Sequence, residues 1–216
     1  MRTGVLTLAP IAGRYQPRLG VRAVPLIPER RVAYVGRHRI GVPTPTPSLR
    51  YFHQEAIPKM KAEFVNAFLT PALDVWKKEL GEELTYHGAH AVTGTFTTED
   101  LTAIIGVTGG LKGNVFYEFS NATSLAIAGV MCGSPFEELD EVGMSAIGEL
   151  ANIITGNATV ELAAANYVCD ISPPVLLSRG ARVSVTNPQI RASFESAMGV
   201  MSIRIGLTEG TALRAA

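Results

Sequence analysis

Three polar residues stand at one regular spacing late in the chain: Ser145, Glu149 and Asn152, at i, i+4 and i+7, with Gly156 following at i+11. On a helix this spacing sets the three side chains in a single stripe, turn above turn. A carboxylate in such a stripe can accept a cation. An amide can hold a water through both its oxygen and its nitrogen. Gly156 has no side chain, so another protein's backbone could come close at that point. Most polar stripes are ordinary solvated helix faces, and a carboxylate with an amide does not by itself name a reaction.

Other signatures of chemistry are missing. The sequence has no phosphate-binding GxxxxGK[ST] loop, no GxSxG and no HExxH. The glycine-rich run Gly106-Val-Thr-Gly109-Gly110 falls in a predicted hairpin, whereas a phosphate loop joins a strand to a helix. His87 and His90 stand at i, i+3 in an extended-looking stretch with no third ligand nearby, so they read as surface residues. The two cysteines, Cys132 and Cys169, cannot form a disulfide framework and read as reduced core residues.

The stripe needs a helix, and 140–165 supplies one. Val142, Leu150, Ile153, Ile154, Val160, Leu162 and Ala165 provide much of its apolar surface. Gly143, Gly148 and Gly156 lie inside it at about 1 kcal/mol each relative to Ala, which calls for close packing or close approach of a partner. Before it, Phe64, Val65, Phe68 and Leu69 recur at helical spacing, and Pro71 is expected to kink or restart that helix with Thr70 as cap. Residues 101–107 are rich in β-branched side chains, Gly109-Gly110 signals a hairpin, and 115–119 alternate as a strand. Ser120 or Asn121 caps a short helix over 122–131 that stops at Cys132-Gly133. The tail reads as strands at 175–177, 183–185 and 201–207, with Asn187-Pro188 turning the chain. This order predicts an α+β fold: an antiparallel β-sheet with the long helix and shorter helices packed on one face.

Composition divides the chain. Residues 1–59 hold nine Arg and Lys59 against Glu29 and Glu55, a net +8, while 60–216 carry a net −8. Seven of the 13 prolines precede residue 50. Residues 1–59 therefore read as a disordered basic Pro/Arg-rich extension, either a leader or sequence upstream of the true start. The prolines argue against an amphipathic targeting helix. No aromatic or phosphate-cradling pattern interrupts the arginines, so nucleic-acid or membrane binding is not expected. No apolar run reaches the length of a membrane span. Residues 60–216 form the expected globular domain, and a cytoplasmic location is expected.

The run Ser145-Ala-Ile-Gly-Glu149-Leu-Ala-Asn152-Ile-Ile-Thr-Gly156-Asn157-Ala158 resembles the active helix of the CheC/CheX/FliY phosphatase family. That family's pattern is Asp or Ser, three residues, Glu, two residues, Asn, and a proline some twenty residues on. Pro173-Pro174 fills the last place, and Pro174 is the preferred match. Met60-Lys-Ala-Glu-Phe-Val-Asn66 is similar to CheX starts, and Gly109-Gly-Leu-Lys-Gly113-Asn-Val-Phe to the family's middle hairpin. With one Glu/Asn pair read in the chain, the similarity is to CheX in particular, over about 60–210.

The resemblance implies a protein-aspartyl-phosphate phosphatase acting on a phosphorylated CheY-like response regulator in chemotaxis or related two-component signalling. It implies that Asn152 inserts to position the hydrolytic water and that Glu149 pairs with the regulator's active-site lysine. Ser145, Gly156 and Pro174 would contact the partner. No metal or cofactor would be bound by this chain, since the Mg2+ ion would belong to the regulator. A homodimer is implied, with 201–207 as the candidate edge strand. The alternative is a non-catalytic regulator-binding or flagellar-switch-like assembly domain.

Overall fold

The computed structural model describes residues 60–210; the extension expected over 1–59 lies outside the described residues. Helix α1 (Ala62–Leu80) opens the domain. Three strands follow: β1 (Thr85–Thr97), β2 (Leu101–Gly109) and β3 (Leu111–Phe119). Helices α2 (Asn121–Cys132) and α3 (Glu141–Ala164) come next. The described residues close with β4 (Cys169–Ile171), β5 (Val175–Ser178), β6 (Arg182–Ser196) and β7 (Gly199–Glu209).

Local signals set the helix ends. The Ser120 hydroxyl accepts from the Thr123 amide and starts α2. The Asp140 carboxylate accepts from the Gly143 amide at 2.8 Å and starts α3. Gly133 closes α2 at φ 70°, the left-handed region open to glycine. Helix α1 departs from expectation, because it runs unbroken through Pro71 and is not restarted by Thr70. Pro71 is buried and lines the seam where α1 meets α3. Its missing N–H removes a single ladder bond, and burial against α3 offsets that loss.

The seven strands form one antiparallel sheet in the order β1-β6-β7-β3-β2-β4, with β5 also paired to β2. Leu101, Ile105, Val115, Tyr117, Ile203 and Ile205 face the helices and share a core with Phe68, Trp76, Ile147, Leu150 and Ile154. The fold is α+β with the helices on one face, as expected. Two strand expectations fail. Residues 201–207 are no edge: β7 lies between β6 and β3, and even its outward-facing Ser202 is buried. Asn187-Pro188 makes no turn between strands. It falls inside β6, at a register shift against β1 between Val92 and Gly94. A bulge there accommodates a proline that cannot donate to the ladder.

The bulge has a consequence. β6 pairs with β7 only from Ile190 onward, so the stretch where Gly94 to Thr97 pair with β6 projects beyond the sheet. This ribbon end bends across the sheet face opposite the helices. Phe96 meets Phe116 edge-on at 5.3 Å, and the Arg204 guanidinium lies 4.1 Å from the Phe96 ring centroid. Beneath it Glu118, 2% exposed, receives Arg191 Nε at 3.0 Å, Arg204 Nε at 2.8 Å and Ser202 Oγ at 2.7 Å. Cys169 is half-buried, but Cys132 is exposed at the end of α2 and is not the core residue expected.

A carboxylate buried this way is held by its partners, and removing it leaves two cations facing each other. Glu118→Ala is expected to destabilise the domain by about 3–5 kcal/mol in denaturant unfolding. A loss below about 1 kcal/mol would show that the cluster is loosely solvated.

Candidate active site

Helix α3 is fixed in place by two contacts, one on each side of Glu149 and Asn152. At one, the Tyr117 hydroxyl and Thr155 Oγ1 are 2.7 Å apart in full burial. The Thr155 hydroxyl donates to the Ala151 carbonyl at 2.8 Å, so the Tyr117 O–H is the donor in that pair. Burial pushes the Tyr117 phenol well above its usual value, against the opposing effect of the Thr155 bond, and keeps the proton in place. At the other contact, Pro174 covers Gly148: a Cβ on that glycine would lie 3.3 Å from Pro174 Cγ. Gly143 is closed over in the same way by Leu139 and Phe136. Two of the three helix glycines are thus packing sites.

Burying this face leaves the other outward. Ser145 and Glu149 are exposed and Asn152 is half-buried. Around Gly156 a Cβ would meet nothing within 4 Å, so that flank is bare. Asn152 Nδ2 lies 3.5 Å from Glu149 Oε2, the outer limit of a hydrogen bond. Pro174 sits beside the stripe, against the residue preceding Glu149, while Pro173 is exposed. The five residues singled out in the sequence therefore gather on or beside one helix face.

The stripe borders a shallow groove of about 440 Å3 lined by Met131, Cys132, Glu141, Val142, Ser145, Ala146 and Glu149. Val142 is 60% exposed and Val160 66%, so neither supplies the buried surface expected of it. Among the described residues no group of three His, Cys, Asp or Glu side chains is placed to hold a metal ion. His87 lies instead on the opposite sheet face, with Nε2 3.1 Å from Glu195. The arrangement is an anion and an amide held side by side on a convex, partly apolar surface. It suits insertion into another protein's cleft better than enclosure of a small molecule. Tyr117 and Thr155 went unnoticed in the sequence. Gly148 carried the one available signal, a glycine inside a helix.

An α+β sheet with a Glu-x-x-Asn helix displayed on its helical layer defines the CheC/CheX-like class, and comparisons agree. The family model described as chemotaxis phosphatase CheX matches residues 101–196. The CheY-P phosphatase CheX of Thermotoga maritima is 33% identical over 120 residues, covering 55% of this chain and 77% of that protein. The chain belongs to the CheX family. Chemotaxis protein CheX of Vibrio vulnificus superposes with a TM-score of 0.62 at 27% identity, over 68% of this chain and 100% of that one. The fold is shared too by the CheX–CheY–BeF3–Mg2+ complex of Borrelia burgdorferi: TM-score 0.56, 20% identity, 68% of this chain and 98% of that chain.

The glycines separate packing from access. Gly148→Val is expected to force Pro174 away and cost about 1–3 kcal/mol. Gly156→Ala, with open space around it, is expected to stabilise the isolated protein by about 0.5–1 kcal/mol. Urea unfolding of both variants checks the contrast, and equal effects would contradict it.

Proposed function

We propose that this chain hydrolyses the aspartyl phosphate of a CheY-like response regulator, with Asn152 orienting the attacking water. The observation that carries the reading is the presentation of Asn152 beside Glu149 on the exposed stripe of α3. The Thermotoga maritima relative is named for the same activity.

The chemistry follows from what an acyl phosphate lacks. It is already labile, so acceleration comes mainly from placing water in line with phosphorus. The water oxygen bonds to phosphorus and the bond to the aspartyl oxygen breaks. The products are inorganic phosphate and the free carboxylate, with protons passing to solvent. The Asn152 amide accepts from that water through its oxygen or donates to it through nitrogen. Glu149, as an anion, has no useful approach to the phosphoryl group; it pairs with the regulator's lysine and fixes the docking pose. Ser145 hydrogen-bonds at the rim, and Gly156 lets the partner's backbone come close. Pro174 supports the helix beside Glu149 and borders the contact. Mg2+ is supplied by the regulator. The net −8 of residues 60–216 suits a cation-bearing protein surface and disfavours a free phosphorylated metabolite. An assembly role without catalysis makes no use of an amide beside Glu149.

The reading extends to assembly and location. We infer a homodimer in the cytoplasm. Among the described residues β1 pairs only with β6, so one side of this 13-residue strand is an open edge, and such edges are commonly closed by a second copy. No helix among the described residues is long and apolar enough to cross a membrane.

In single-turnover phosphate release from a phosphorylated regulator, Asn152→Ala is expected to lower the rate on the order of 10²-fold with the fold unchanged. Glu149→Lys is expected to weaken binding as well as turnover, since it sets a cation against the regulator's lysine. Full activity in folded Asn152→Ala protein contradicts the mechanism. A chain beginning at Met60 is expected to fold, to act at the full rate and to scatter light as a dimer. A mass near one chain would remove the dimer.

A further inference from the structure

The exposed stripe of α3 continues beyond Ser145 toward the helix start. Glu141 and Val142, at i−4 and i−3 from Ser145, are both exposed. Val142 is 60% exposed, and it does not stand alone. It lines the groove of about 440 Å3 between the end of α2 and the first turns of α3, where Met131, Cys132 and Ala146 join it. Ser145 and Glu149 line the same groove, so it runs without a break into the candidate site. Helix α2 carries no charged residue, and its Val130 is 45% exposed. An apolar floor joined to a polar stripe is the anatomy of a protein–protein contact, with an apolar centre and a polar rim.

The rim has one sign. Between Lys112 and Arg179 the chain holds no Lys, Arg or His but eight acidic residues. Among the described residues only Glu118 of those eight is ion-paired, and it lies on the opposite sheet face. Glu137, Glu138, Asp140 and Glu141 gather at the start of α3, all exposed. Such a rim repels an anionic surface. It fits a protein surface that sets an apolar side chain among lysines or arginines. The regulator is the protein that Glu149 and Asn152 already bring to this helix. At a rise of 1.5 Å per residue, Val142 lies about 15 Å along α3 from Asn152, well within the footprint of one docked domain.

We propose that this groove is a second docking point for the regulator, with Val142 as the residue that determines which regulators the chain serves. The groove takes one apolar side chain, flanked by basic residues, from the regulator surface beside its phosphorylation pocket. The inference rests on the reading of Asn152 and Glu149 given above and adds a division of labour to it. The amide acts on the bound phosphoryl group and sets the maximal rate. The groove acts earlier, on whether the regulator stays bound. A regulator with an acidic side chain at that place sets like charges against Glu141 and leaves Val142 uncovered, so it is turned away.

The test measures two quantities on a panel of CheY-type regulators with the full chain. Calorimetry gives the affinity for each beryllofluoride-activated regulator, and single-turnover phosphate release at saturating chain gives the maximal rate. The variants are Val142→Lys, Val142→Leu and Val168→Lys; Val168 is 75% exposed and lies outside the groove. Circular dichroism checks that each folds. For the regulators that wild type binds, Val142→Lys is expected to weaken binding about tenfold or more while the maximal rate stays within about twofold. Val142→Leu and Val168→Lys are expected to bind within about threefold of wild type. Wild-type affinity in Val142→Lys overturns the groove. An equal loss in Val168→Lys does so too, since it would report net charge alone. Asn152→Ala separates the two readings, because it is expected to bind as wild type does and to lose the rate. Full rate in Asn152→Ala beside weak binding in Val142→Lys keeps the groove and sinks the assignment of Asn152. A wild-type chain that neither binds nor dephosphorylates any regulator of the panel overturns both.

Discussion

The packing of α3 on the sheet is the constraint on which the rest depends. A 24-residue helix has to bury one face, and what it buries decides what it displays. Tyr117 reaches from β3 to Thr155, and Thr155 hands its own proton back to Ala151, one residue before Asn152. Seven residues toward the helix start, Gly148 gives up its side chain so that Pro174 can sit against the backbone. These contacts fix the rotation of α3 about its axis. With that rotation set, Ser145, Glu149 and Asn152 point away from the sheet and Gly156 leaves its flank open. The function proposed for this CheX-family chain needs little more from the fold, because the phosphoryl group and its metal would arrive with the partner.

The opposite sheet face answers a different requirement. A carboxylate at the middle of β3 is costly to bury unless its charge is met, and Glu118 is met by Arg191, Arg204 and Ser202. The bent β1–β6 ribbon lays Phe96 over Phe116 and Arg204 and helps close this layer. The central strands are thereby covered on both sides, which accounts for a β7 whose two faces are buried. The ends of the domain are joined separately: Lys61 before α1 sits 2.6 Å from Glu209 at the end of β7 and 2.7 Å from the Tyr167 hydroxyl.

What the sequence revealed follows the range of the signals. The β2–β3 hairpin, α2 and α3 were legible because their determinants are local: Gly109-Gly110, the Ser120 cap, and the helical spacing of Leu150, Ile153, Ile154 and Leu162 in α3. The stripe was legible because helical spacing alone places Ser145, Glu149 and Asn152 together. Long-range pairing was not. Alternation in 201–207 reports one buried face but not which strands lie beside it, and β7 proved central. Strand β1 was hidden because both of its faces are largely exposed, so it lacks the alternation of a half-buried strand. Glu118 and its arginines are 73 and 86 residues apart in the chain, beyond any local pattern. A second Glu-x-x-Asn, Glu63 and Asn66 on the exposed side of α1, was in plain view and went uncounted in the reading of a single Glu/Asn pair.

The central claim is that Asn152 and Glu149 enter a regulator's phosphorylation site from α3. A crystal structure of the full chain with a beryllofluoride-activated CheY-type regulator tests it most directly. The account predicts the Asn152 amide within hydrogen-bond distance, about 2.7–3.2 Å, of a water in line with the beryllium, and Glu149 beside the regulator's lysine. A complex in which α3 faces solvent, or in which another helix face fills the regulator's site, would contradict it.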